Sequence, residues 1–135
     1  DTHYFIIKLH PHTQVHTEGT NCDIPSEELL PVADIVITDY SSILFDAMIY
    51  QLPLVLFAPD LEEYLASRGF YLDYRTLPGI HIQKEEQLVK VLSDEARLNS
   101  SVNQKYHDFF QDYMAACDGH ATRRIMNYVS KSPNK

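Results

Sequence analysis

Two clusters in this sequence combine residue types and spacings suited to chemistry. One is Lys8-Leu9-His10-Pro11-His12, with His16 close behind. The other is Thr38-Asp39-Tyr40-Ser41-Ser42, with Asp46 four residues past Ser42. An imidazole titrates near neutral pH, so His10 can hold a phosphate oxygen or protonate a leaving group. Serine hydroxyls and free backbone amides where a strand turns into a helix can hold a phosphate without any Lys or Arg. Asp39 or Ser41 would serve equally well as a helix cap. The imidazoles of His10, His12 and His16 could instead ligate a metal. Pro11 keeps them off a common helical face, and no Cys or carboxylate joins them at metal-site spacing, so no metal is expected. Weaker signals are Asp46, the acidic start Asp60, Glu62 and Glu63, the turn Asp118-Gly119-His120, and Arg123 with Arg124. A serine hydrolase is disfavoured, because no Gly-x-Ser-x-Gly elbow surrounds Ser41-Ser42.

These groups need elements to position them. Tyr4 to Leu9 is a β-favouring apolar run that His10-Pro11 ends, which predicts a first strand. Ile35-Val36-Ile37 is apolar without alternation, as in a strand buried on both faces of a parallel sheet. A mostly buried helix should start at Ser41-Ser42 and run to Tyr50 or Gln51. Leu54 to Phe57 reads as a third strand. Asp60 is expected to cap a helix from Leu61 to Ser67 that Gly69 closes. Ile80 to Ile82 fits a short edge strand after the Pro78-Gly79 turn. Leu88 to Leu92, Val102 to Cys117 and His120 to Val129 have helical spacing. The pattern is α/β, a Rossmann-like parallel sheet flanked by helices. In such sheets ligands bind beyond the strand carboxyl ends, where His10 and the Asp39–Ser42 turn would face one crevice.

Composition narrows the classes. The chain has 135 residues, enough for one domain, and 44% of them are hydrophobic. Eleven basic against nineteen acidic residues give −8, which disfavours binding to nucleic acid. No stretch reaches the roughly 20 apolar residues of a membrane span, no leader peptide is visible, and no basic amphipathic helix is read. Cys22 and Cys117 read as free thiols in a reducing compartment, with a single bridge between them as the alternative. A doubly wound sheet has five or six strands. Three firm strands and one edge strand suggest a partial domain, 1–135, truncated at its N-terminus.

Taken together, Lys8 to His12, Ala33 to Asp46, Asp60 to Tyr64, Arg68 to Tyr74, Pro78-Gly79 and Asp118-Gly119 resemble, in this order, the CDP-glycerol glycerophosphotransferase family. These are the teichoic acid primases and polymerases of Gram-positive bacteria. The resemblance runs from about Phe5 to Val129 and is most specific at Thr-Asp-Tyr-Ser-Ser-x-x-x-Phe-Asp. It implies the C-terminal, donor-nucleotide-binding half of a GT-B transferase. That enzyme moves glycerol phosphate from CDP-glycerol to a lipid-linked or poly(glycerol phosphate) acceptor and releases CMP. It needs no cofactor and works peripherally at the cytoplasmic face of the membrane. The acceptor would be held by an N-terminal half that this chain lacks. By position, His10 would be catalytic at the donor pyrophosphate. Asp39, Tyr40, Ser41 and Ser42 would bind the phosphates, with Asp46 supporting their turn. His12, Asp118, Gly119 and Arg123 would be further donor contacts. Relatives acting on CDP-ribitol share the pattern. The rival reading is a non-catalytic α/β binding or regulatory domain, which needs a carboxylate cluster at the strand ends.

Overall fold

The computed structural model describes residues 3–8 and 22–131. The chain forms two compact units, Asp1–Val32 and Ala33–Lys135.

In the first unit the expected opening strand does not form over Tyr4 to Lys8. Tyr4, Phe5 and Ile6 are exposed. A strand persists only where its backbone groups find a ladder partner, and among the described residues the one backbone bond to this run is from Cys22 N to Ile7 O, at 3.2 Å. Lys8 Nζ adds a bond to Ile24 O at 2.8 Å. Helix α1 spans Ser26–Leu29 and passes into a single 3₁₀ turn, Leu30–Val32, which accommodates Pro31.

The second unit is a three-stranded parallel sheet. Strands β1 (Val36–Thr38), β2 (Leu54–Phe57) and β3 (Ile80–Ile82) lie in the order β1-β2-β3. Central β2 is hydrogen-bonded on both sides, and its uninterrupted apolar sequence leaves Leu54, Val55 and Leu56 fully buried. Register places Ile37, Val55 and Ile80 in line on one face, with Phe57 beside Ile82. Helices α4 (Glu85–Leu92) and α5 (Glu95–Ser100) close this face with Leu88, Val91 and Leu98. Thr38, Leu56 and His81 align on the opposite face.

Helix α2 (Ile43–Ile49) joins β1 to β2 and packs against β1 and α6 (Gln104–Met114), burying Leu44, Ala47 and Met48. Its end forms a Schellman turn: Gln51 N donates to Met48 O and Leu52 N to Ala47 O. Gln51 takes φ 55° there, a conformation usually left to glycine. Helix α3 (Leu61–Ser67) lies between β2 and β3. Gly79 has φ +117°, and a Cβ on it would come within 2.9 Å of Leu54 Cβ and O. Only glycine therefore lets the Pro78-Gly79 turn lay β3 against β2.

Three helical expectations shift. Helix α5 was not anticipated: Ala96 and Leu98 are its only apolar residues, and Asp94 starts it by accepting from Arg97 N at 3.0 Å. Helix α6 begins after Val102, where Asn103 Oδ1 accepts from Tyr106 N, and it stops at Met114. The last helix, α7 (Ala121–Lys131), buries no residue. It exposes Ile125, Met126, Tyr128 and Val129 alongside Arg123, Arg124 and Lys131, so the chain does carry a basic amphipathic helix. No helix among the described residues is long and apolar enough to cross a membrane.

Candidate functional site

The strand-to-helix turn lies where the apolar run of β1 gives way to Asp39-Tyr40-Ser41-Ser42. Asp39, Ser41 and Ser42 are exposed, and Tyr40 is half-buried. Ser41 Oγ accepts from Ile43 N at 3.3 Å, and Ser42 O accepts from Phe45 N at 3.0 Å. Ser41 thus closes the turn just ahead of the helix, whose cap position, Ser42, makes no side-chain cap bond. Among the described residues, the amides of Ser41 and Ser42 and the hydroxyl of Ser42 have no partner. These are the donors an anionic ligand would meet.

Two tyrosines tie the turn down. Tyr40 Oη donates to Asp60 Oδ1 at 2.6 Å, and its ring stacks on Tyr64 with centroids 3.8 Å apart. Tyr74 Oη donates to the Asp39 carbonyl at 3.2 Å. Phe70 stacks on both Tyr64 and Tyr74. Burial, then the Asp60 carboxylate, drives the Tyr40 hydroxyl above the ordinary tyrosine range. Tyr74 is pushed up to about 12 by burial and by the charges of Asp39 and Asp60. Both hydroxyls stay protonated donors at any working pH.

This arrangement corrects one expectation. The Asp60 carboxylate makes no cap bond to α3. It is turned instead to the hydroxyl of the half-buried Tyr40, 2.6 Å away. Asp46 is exposed on α2 and makes no hydrogen bond to the Ser41-Ser42 turn it was expected to support. The buried side of that helix is Leu44, Ala47 and Met48.

Asp118 accepts from His120 N at 2.9 Å and from Arg124 Nη1 at 2.8 and 2.7 Å. The Arg124 guanidinium holds its carboxyl below the ordinary range. Arg124 Nη2 reaches Ala116 O, so this arginine closes its own loop. Gly119 turns with φ +75°, and Arg123 is exposed. No hydrogen bond links this loop to the Asp39–Ser42 turn. His10, His12 and His16 lie outside the described residues. Among those that are described, no three His, Cys, Asp or Glu side chains are grouped to hold a metal. Cys22 and Cys117 are free thiols.

A cleft of about 450 Å³ opens at the carboxyl ends of β2 and β3. Leu56, Tyr74, Arg75, His81, Gln83 and Gln87 line it. Arg75 is held by Glu62 at 2.7 Å. Gln87 Oε1 accepts from Gln83 N and Lys84 N. Sequence reasoning missed this cleft and the aromatic cluster. Their signal was the density of rings in Phe70-Tyr71-Leu72-Asp73-Tyr74, whose partner Tyr40 lies some thirty residues away along the chain.

Parallel strands flanked by helices, with polar turns gathered beyond the strand carboxyl ends, define the open-sheet α/β class. The family model for CDP-Glycerol:Poly(glycerophosphate) glycerophosphotransferase matches residues 1–131, and the chain belongs to this family. A teichoic acid poly(ribitol-phosphate) polymerase of Bacillus spizizenii is 28% identical over 96% of this chain and 22% of its own length. A teichoic acid glycerol-phosphate primase of the same organism is 27% identical over 95% of this chain and 35% of its own length. Across the first four curated relatives the chain spans 22% to 35% of their length. The wall teichoic acid polymerase TagF superposes with a TM-score of 0.65 and 32% identity, over 77% of this chain and 26% of TagF.

Proposed function

We propose that this chain is the donor-binding part of a GT-B polyol-phosphate transferase in teichoic acid synthesis. The observation that carries this reading is the Asp39–Ser42 turn. It is an exposed serine pair whose amides have no partner among the described residues, at the carboxyl end of the half-buried edge strand β1, in a chain of this family. The diphosphate of a CDP-linked polyol would lie on the amides of Ser41 and Ser42 and the Ser42 hydroxyl. Asp46, exposed and unbonded to the turn, would contact the donor itself. Asp39 and Asp60 bring negative charge to the strand ends, so the amide and hydroxyl donors must outweigh it locally.

In the reaction, an acceptor hydroxyl attacks the phosphorus that bears the polyol. The new P–O bond forms as the bond to the CMP oxygen breaks, and CMP leaves. Positioning and charge stabilisation carry most of such a transfer. His10 is proposed to stabilise or protonate the departing phosphate, with His12, Asp118, Gly119 and Arg123 as further donor contacts. His10→Ala in the natural full-length protein should lower turnover on the order of a hundredfold. Unchanged turnover removes His10 from the site. The lipid-linked or polymeric acceptor would be held by other parts of the protein, at the inner face of the membrane.

TagF with CDPG supports a nucleotide donor. Ribitol-phosphate and glycerol-phosphate enzymes both stand among the relatives, so the polyol is assigned by experiment. Titration calorimetry of the full-length protein with CDP-glycerol, CDP-ribitol and Mg²⁺ alone is the test. Saturable binding of one nucleotide supports the reading. Binding of Mg²⁺ alone, or of neither nucleotide, overturns it in favour of a non-catalytic α/β domain.

A further inference from the structure

We infer that Tyr74 is a positioning residue for the donor phosphates, acting through the Asp39 carbonyl; the inference rests on the reading of the Asp39–Ser42 turn given above. Tyr74 is only 1% exposed. It stands on a single 3₁₀ turn, Tyr74–Thr76, which Asp73 starts by accepting from Arg75 N at 3.0 Å. Its ring is fixed on three sides: stacked on Phe70 at 5.3 Å, tilted on Tyr40 at 5.5 Å, and edge-on to His81 at 5.5 Å. His81 is itself held, its Nε2–H donating to Leu77 O at 2.9 Å. The hydroxyl that emerges from this cage makes one hydrogen bond among the described residues, to the carbonyl of Asp39.

That carbonyl belongs to the peptide unit joining Asp39 to Tyr40, one unit before the amide of Ser41. Fixing it fixes the rotation of the chain as it leaves β1, and with it the direction in which the Ser41 and Ser42 amides point. Tyr40 restrains the same unit from the other side through Asp60. The buried hydroxyl thus converts core packing into an orientation at the rim. A group that aligns ground-state and transition-state phosphates alike acts on donor KM and leaves kcat nearly unchanged.

A matched control exists in Tyr106. It is equally buried at 1%, and its hydroxyl donates to Leu52 O at 3.0 Å, just before β2 begins. Tyr74→Phe and Tyr106→Phe each delete one hydroxyl-to-carbonyl bond, so their structural costs should match. In the full-length protein, with donor varied at saturating acceptor, Tyr74→Phe should raise donor KM about three- to tenfold, the scale of one net hydrogen bond. Its kcat should stay within about twofold. Tyr106→Phe should lower Tm by a similar amount and leave donor KM unchanged. Equal KM changes in the two variants would overturn the inference. Ser42→Ala separates the two levels of the account. A raised donor KM in Ser42→Ala with an unaltered Tyr74→Phe sinks the positioning role alone. An unchanged KM in both sinks the turn as the donor site as well.

Discussion

On one face of the sheet, Val55, Ile80, Ile82, Val91 and Leu98 form a wholly apolar cluster closed by α4 and α5. Elsewhere in the same unit, two equally buried tyrosines carry hydroxyls to backbone carbonyls, Tyr74 to Asp39 and Tyr106 to Leu52. The apolar cluster contributes through area removed from water and close packing, neither of which specifies a direction at the rim. The tyrosines add directional bonds at the exit of β1 and the entry to β2. Of the two, only the Tyr74 bond reaches the turn proposed as the donor site, whereas the apolar cluster and Tyr106 serve the fold, so variants can be chosen that touch one and spare the other.

The largest effect is expected at Leu98, where truncation to alanine leaves a cavity under α5. Leu98→Ala should lower unfolding free energy by about 2–5 kcal/mol in urea titrations. Donor affinity of the folded molecules should be unchanged, and a loss of affinity there would break the separation. Tyr106→Phe should cost about 1 kcal/mol, measured the same way. Its burial, which also pushes the phenol up to about 12, leaves the hydroxyl neutral at every practical pH, so this cost should not vary between pH 6 and pH 9. A pH-dependent cost across that window would mean that the hydroxyl ionises. The smallest effect has the opposite sign. Gln51→Gly removes the strain of φ 55° at the end of α2 and should raise stability by about 0.5–1 kcal/mol. A decrease would show that the glutamine side chain, and not its backbone, is what that turn needs.

Much of the sheet was legible in the sequence because unbroken apolar runs such as Leu54-Val55-Leu56-Phe57 have few places to go except between layers. The helix after Ser42 and the turn before it were legible for the related reason that polar residues interrupt such runs sharply. Tyr4 to Lys8, the described part of the expected first strand, looked the same locally and misled, because strand formation depends on a partner the run itself does not contain. Helix α5 was hidden because its start rests on one cap, Asp94, and its burial on one residue, Leu98. Asp60 looked like a cap by position, and no local rule could foresee that a tyrosine twenty residues earlier would claim its carboxylate. The Tyr74 bond crosses 35 residues and leaves no periodicity to read. Positions at the turn were thus readable as types, while the contacts that orient them were not.

Everything proposed for this chain turns on whether the Ser41-Ser42 turn receives the donor's diphosphate. A crystal structure of the full-length protein with CDP-glycerol or CDP-ribitol bound tests it most directly. Phosphate oxygens should lie about 3 Å from the amides of Ser41 and Ser42. A diphosphate seated instead in the cleft between Arg75, Gln83 and Gln87, with the turn left to solvent, would contradict it.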